Sequence, residues 1–105
     1  MLLLPLASVP PPPDTASAGC DTGPHVTWDS FGEGFFTTYC QACHSGTAPN
    51  RAGAPVGVDF DTEAQVRAQA ERVRVRVLDE GTMPVGGGVY EDDRELLARY
   101  LACGL

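Results

Sequence analysis

Apolar residues recur at helical spacing in three stretches of this chain, and between them the pattern breaks up into glycine and proline. The first stretch sets Phe31, Phe35, Phe36 and Tyr39 on one broad face. Ser30 and Glu33 stand ahead of it at capping-box spacing, so the pattern predicts a helix over 31–42. In the second stretch Val66, Ala70, Val73 and Val77 repeat as one helix face should. Thr62 and Gln65 offer another capping box and Gly81 a stop, which predicts a helix over 62–79. Within it "RVRVRV" alternates with period two and on its own would suit a strand. The length of the surrounding pattern and its flanking caps favour the helix. The third stripe is Leu96, Leu97, Tyr100 and Leu101, with Asp92 and Glu95 at cap spacing and Gly104 as the stop, predicting 92–102. The intervening "SGTAPNRAGAPVGVDF" and "GTMPVGGGVY" read as loops with specific turns. No internal repeat is visible. The predicted class is all-α.

Length makes that class harder to stabilise. At 105 residues the chain is one domain at most, and five of its nine prolines fall in the first twenty residues. The organisation expected is a signal-like or disordered Pro-rich segment over 1–20 and a domain over 21–105. About 75 to 80 residues of compact structure is a size at which a core usually needs a staple or a cofactor. Eight aromatics, one of them tryptophan, make that core thin.

The N-terminal segment has an apolar run, Leu2 to Val9, too short to span a bilayer. With Ala16-Ser17-Ala18 as a small-x-small cleavage pattern it reads as a secretory signal, although no basic residue precedes the apolar run. Ala18-Gly19-Cys20 is also similar to the end of a lipoprotein signal, but Ser17 stands where such signals prefer leucine. The expected location is therefore exported, either periplasmic or tethered to the outer side of the inner membrane.

Charge excludes one class of partner. The net charge is −7, with fourteen acidic residues, seven arginines and no lysine. No basic stripe exists to neutralise phosphates, so nucleic acid is not an expected ligand. An acidic surface suits docking to a basic patch on a partner protein.

The chemistry concentrates in "TTYCQACHSG", where Cys40 and Cys43 stand three apart with His44 directly behind. A structural zinc site wants four ligands, and only Cys20, Cys103 and His25 remain, with no second paired motif. A thioredoxin-like redox pair wants a βαβ setting, which an all-α chain does not provide. Haem c suits the spacing. Two thiols three residues apart on a helical turn can each add to one vinyl group of the same porphyrin, and the next residue projects an imidazole toward the iron. Met83, in the glycine-rich "GTMPVGGG" and followed by the stiffening Pro84, is the candidate for the second axial ligand. A His/Met pair raises the haem potential. The plain alternative is a methionine that fills a gap in the core. His25 reads as a surface residue.

With Cys40, Cys43, His44 and Met83-Pro84 as anchors, the chain from Trp28 to Cys103 resembles small monohaem cytochromes c of the exported bacterial type. The resemblance implies three helices wrapped around covalent haem. It also implies that Gly32 and Phe36 pack against Tyr100-Leu101 on the last helix. The departure is Val85, where the family often has a second proline. The imidazole's carbonyl partner is expected from Pro49 or Pro55, and Arg51 and Arg76 are candidates to meet the propionates. Packing of the first and last helices would bring Cys20 and Cys103 together, and an exported chain meets an oxidising compartment. The disulfide is the reading adopted, with lipidation of Cys20 as its competitor. Membrane association is expected only in that second case, and otherwise a monomer.

The implied role is one-electron transfer to redox partner proteins, not enzymatic catalysis. The alternative is a haem-based peroxidase or gas sensor in which Met83 is displaced.

Overall fold

Each of the three apolar stripes becomes a helical span in the computed structural model, which describes residues 19–105, but their ends are displaced from the expected positions. Among the described residues there is no strand, as the all-α class requires.

The first span runs over 28–39, as a π-helical turn Trp28–Gly32 followed by α1, Glu33–Tyr39. It starts earlier than the Ser30–Glu33 spacing suggests, because Thr27 takes the cap. Thr27 is extended (φ −125°, ψ 174°), and its hydroxyl accepts the Ser30 amide at 3.1 Å. The Ser30 hydroxyl in turn accepts the Thr27 amide at 2.9 Å, so Ser30 is the inner member of the box. The earlier start brings Trp28 onto the helix, where its ring stacks on Phe36 at 6.2 Å. The span also stops short of residue 42: Cys40 leaves the helical region (φ −126°, ψ −36°).

The second span runs over 63–79, as α2 (Glu63–Ala68), α3 (Ala70–Val73) and a π-helical continuation, Arg74–Asp79. The Thr62–Gln65 capping box forms as expected, with the Gln65 amide 3.2 Å from the Thr62 hydroxyl and the Thr62 amide 3.0 Å from the Gln65 side-chain oxygen Oε1. Gln69 (φ −113°, ψ 12°) interrupts the span between α2 and α3. Helix prevails over strand in "RVRVRV": Val73 and Val77, four apart, are buried, while Val75 between them is only half-buried, where a strand would bury all three. The final carbonyls of this span are met by Arg94, whose guanidinium donates to Val77 at 2.7 Å and to Leu78 at 3.0 Å. Gly81 then turns the chain away at φ +69°, a conformation that favours glycine.

The third span runs over 91–104, as α4 (Glu91–Arg99) and a π-helical last turn, Tyr100–Gly104. The Asp92–Glu95 box does not form, because the helix begins at Glu91 behind Tyr90 and Asp92 already lies within the first turn. Glu91, Asp92 and Asp93 there complement the positive end of the helix dipole. Gly104 is not the stop it was expected to be. It belongs to the last turn, where a Cβ would run into the Val26 carbonyl.

The spans meet on one core of Val26, Phe35, Phe36, Phe60, Val66, Val73, Val77, Leu97 and Tyr100. At Gly32 the first and last spans cross closely: a Cβ would lie 2.9 Å from the Trp28 ring and 3.0 Å from the Tyr100 ring. The expected approach of Gly32 to Tyr100 is therefore present. Tyr100 is fully buried and its hydroxyl donates to Glu63 at 2.9 Å, joining the last span to the head of α2. Ahead of the first span, a 3₁₀ turn Gly19–Asp21 brings Cys20 to Cys103 with Cα atoms 5.5 Å apart and sulfurs at bonding distance. Arg99 donates to the Thr22 and Pro24 carbonyls of the same segment. The apolar run and the Ala16-Ser17-Ala18 pattern lie outside the described residues. Among the described residues, no helix is long and apolar enough to cross a membrane.

Candidate functional site

Cys40, Cys43 and His44 share one turn. After α1 ends, the chain keeps winding, with the Cys43 and His44 amides reaching the Cys40 carbonyl at 3.3 and 2.9 Å. Both thiols are free and each is partly buried. Burial alone pushes the Cys40 thiol up to about 12, so it is a protonated thiol at neutral pH.

His44 is held from two sides. Its ring meets Phe60 edge-on, with centroids 5.2 Å apart. Its Nδ1 lies 2.7 Å from the Val58 carbonyl oxygen, which can only accept, so the proton sits on Nδ1. In the neutral ring that leaves Nε2 as the lone-pair nitrogen, the form a metal binds. The Pro49 and Pro55 expectation is thereby corrected to Val58. Pro49 is exposed, and the Pro55 carbonyl is already taken by the Val58 amide at 3.1 Å and by Arg51 Nη2 at 2.7 Å. The loop 45–60 is folded back under His44: the Phe60 amide reaches the His44 carbonyl at 2.8 Å, and the Gln41 side chain donates to the Phe60 carbonyl at 2.9 Å. Asp61 closes it by accepting the Gly46 amide at 2.9 Å, and its carboxyl is held below the usual range by hydrogen bonds from Ser45 and Gly46.

Met83 stands on a separate loop, half-buried and packed against the same core that Cys40 touches. The Arg76 carbonyl fixes that loop by accepting the Thr82 amide at 2.8 Å and the Met83 amide at 3.1 Å. The Met83–Pro84 peptide is cis. The structure thus brings three of the four expected residues onto one turn and sets the fourth on a second loop against the shared core. A thioether in that position serves equally as core packing or as a ligand.

The two candidate propionate partners differ. Arg51 spends its donors on the carbonyls of Ser45, Ala54, Pro55 and Val58 and lies 2.7 Å from Asp59. Arg76 is exposed, with only a 3.9 Å approach to Glu80. His25 is exposed, as expected.

Among the described residues no three His, Cys, Asp or Glu side chains converge as a metal cluster. Zinc therefore finds no tetrahedral set here, and the CxxC pair has no strand before it. The donor set that does exist is two free thiols three residues apart, an imidazole with its Nδ1 proton committed to a carbonyl, and a thioether. In type and spacing these residues fit a covalently held haem. No family model matches the chain, and neither any curated protein nor any solved structure matches it.

Proposed function

We propose that this chain is a one-electron carrier that holds haem c through Cys40 and Cys43, with His44 and Met83 as axial ligands, in a cytochrome c-like fold. The observation that carries the reading is the Cys40–His44 turn, with the His44 Nδ1 proton tied to Val58 at 2.7 Å. That bond orients the ring and raises the basicity of Nε2, as a carbonyl behind a metal-bound imidazole does. Bound haem supplies the redox chemistry, a ferric–ferrous exchange that needs no change of ligands.

The chain's own residues supply the rest. Cys40 and Cys43 anchor, and His44 orients and donates. Met83 contributes a neutral sulfur that favours the ferrous state relative to harder ligands. Phe36, Phe60 and Leu97 keep water from the interior. The acidic surface suits a partner with a basic docking patch. The disulfide-distance pair Cys20 and Cys103 suits an oxidising compartment and so supports export as part of the same reading.

The test is extraction of the pigment in acidified organic solvent. Porphyrin that stays with the protein supports thioether attachment, and porphyrin that extracts freely overturns it. A wild-type ferrous spectrum unchanged by carbon monoxide supports the closed sixth position of an electron carrier. A spectrum that shifts at once moves the protein to the class in which Met83 is displaced.

A further inference from the structure

Arg51 lies on the loop beneath His44, and its surroundings are unlike those of a surface arginine. Its side chain is 21% exposed and its partner Asp59 only 14%. Nη1 donates to the Ser45 carbonyl at 2.7 Å, Nη2 to Pro55 at 2.7 Å, and Nε to Ala54 at 3.3 Å. Nη2 also lies 3.3 Å from the Val58 carbonyl, the same oxygen that accepts the His44 Nδ1 proton at 2.7 Å. One planar fork thus ties both ends of the 45–58 loop to each other. Asp59, next in the chain after Val58, offsets the guanidinium charge from 2.7 Å. The contact is an ion pair rather than a well-directed hydrogen bond: Asp59 Oδ1 has no hydrogen-bond donor of its own.

We infer that Arg51 is a positioning residue that clamps the Val58 carbonyl behind His44, and so sets how strongly the imidazole donates to the haem iron. The inference rests on the proposed haem ligation and adds to it a residue that tunes the potential. It also leaves Arg51 little to offer a propionate, since four of its five N–H groups are already engaged with the loop.

Two effects of Arg51 on that carbonyl oppose each other. The 3.3 Å contact draws electron density from the oxygen and weakens its bond to Nδ1. The two 2.7 Å contacts, to Ser45 and Pro55, hold the loop that keeps the oxygen in place. Shorter charge-assisted bonds are the stronger ones, so the clamp outweighs the polarisation. Without the clamp the Nδ1 bond loosens, the ring donates less electron density, and the ferric state loses more support than the ferrous. The potential rises.

Arg51→Lys tests this with the charge retained, because an ammonium cannot reproduce the fork. Two readouts are taken on the holoprotein: the reduction potential and the exchange rate of the His44 ring N–H proton. The expected result is a higher potential with ring exchange about tenfold faster, the factor that follows from losing roughly one hydrogen bond's net worth. A potential that falls or stays, or ring exchange that does not change, overturns the positioning role. Asp59→Asn keeps the fork and guards against a folding failure in the first variant. It is expected to leave the ring exchange near wild type, and exchange that quickens as much as in Arg51→Lys assigns the clamp to the ion pair and overturns the fork. The two levels separate at the extraction step. Porphyrin that extracts from wild type overturns the haem reading and this one together, whereas firmly held porphyrin with an unmoved potential in Arg51→Lys overturns this one alone.

Discussion

At the scale of single residues, Met83 carries the most decisive substitution. Its side chain is half-buried against the core, a position equally suited to packing and to ligation. Met83→Ala separates the two. If the sulfur is a ligand, the variant keeps its haem, binds carbon monoxide in the ferrous state, and loses potential on the order of hundreds of millivolts, since axial ligands move haem potentials across about 0.8 V. If wild type and variant share one spectrum and one potential, Met83 only packs. The candidate side chains of the proposed site could be picked from the chain alone, because cysteine, histidine and methionine announce their donor atoms. The carbonyl behind His44 could not. Any residue can present a backbone oxygen, and the family resemblance points to a proline, Pro49 or Pro55, where the fold uses Val58. Arg51 was visible as a cation but not as a clamp, since nothing in a sequence says which carbonyls an arginine will find.

At the scale of elements, the three apolar stripes predicted the helices and the glycines decided how closely they cross. Gly32 lies against two rings, that of half-buried Trp28 and that of fully buried Tyr100: a Cβ would sit 2.9 Å from the first and 3.0 Å from the second. Gly32→Ala should therefore destabilise the protein by about 1–3 kcal/mol despite alanine's better helix propensity. Chemical denaturation checks this, and a stabilised variant would mean that the spans are not in such close contact. Tyr100 provides a second test of the same junction. Burial and the hydrogen bond to Glu63 raise its hydroxyl above the ordinary value of 10.0. A raised tyrosine holds its proton in the folded state after the unfolded chain has lost it. Its contribution is therefore complete below pH 10 and falls away as pH rises beyond that. Tyr100→Phe should cost about 1 kcal/mol at neutral pH and flatten the alkaline fall in stability seen in wild type. An alkaline limb of unchanged slope would assign that fall to other groups. The helix ends were the least legible part of these elements, for a local reason. Ser30–Glu33 and Thr27–Ser30 have the same spacing, and Thr27 won because the earlier start places Trp28 against Phe36. Asp92–Glu95 lost in the same way to a helix that begins at Glu91.

At the scale of the whole molecule, the segment ahead of the first span is held to the last one by several contacts. Cys20 meets Cys103, Arg99 takes the Thr22 and Pro24 carbonyls, and Gly104 lies under Val26, itself part of the core. This sharing sets the expected worth of the cysteine pair. Closing a loop of sequence separation 83 is worth roughly 4 kcal/mol in the chain-entropy model. On the proposed attachment, haem at Cys40 and Cys43 would already restrict the unfolded chain, so the measured loss should be smaller. If the proposed haem alkylates Cys40 and Cys43, thiol titration of the denatured holoprotein should find no free cysteine. Two thiols should appear after reduction, with stability lower by about 2–4 kcal/mol. One free thiol together with a diacylglyceryl mass on Cys20 would replace the disulfide with a membrane tether. Two free thiols before reduction would be located by mass spectrometry: on Cys40 and Cys43 they remove the haem attachment, and on Cys20 and Cys103 they remove the disulfide.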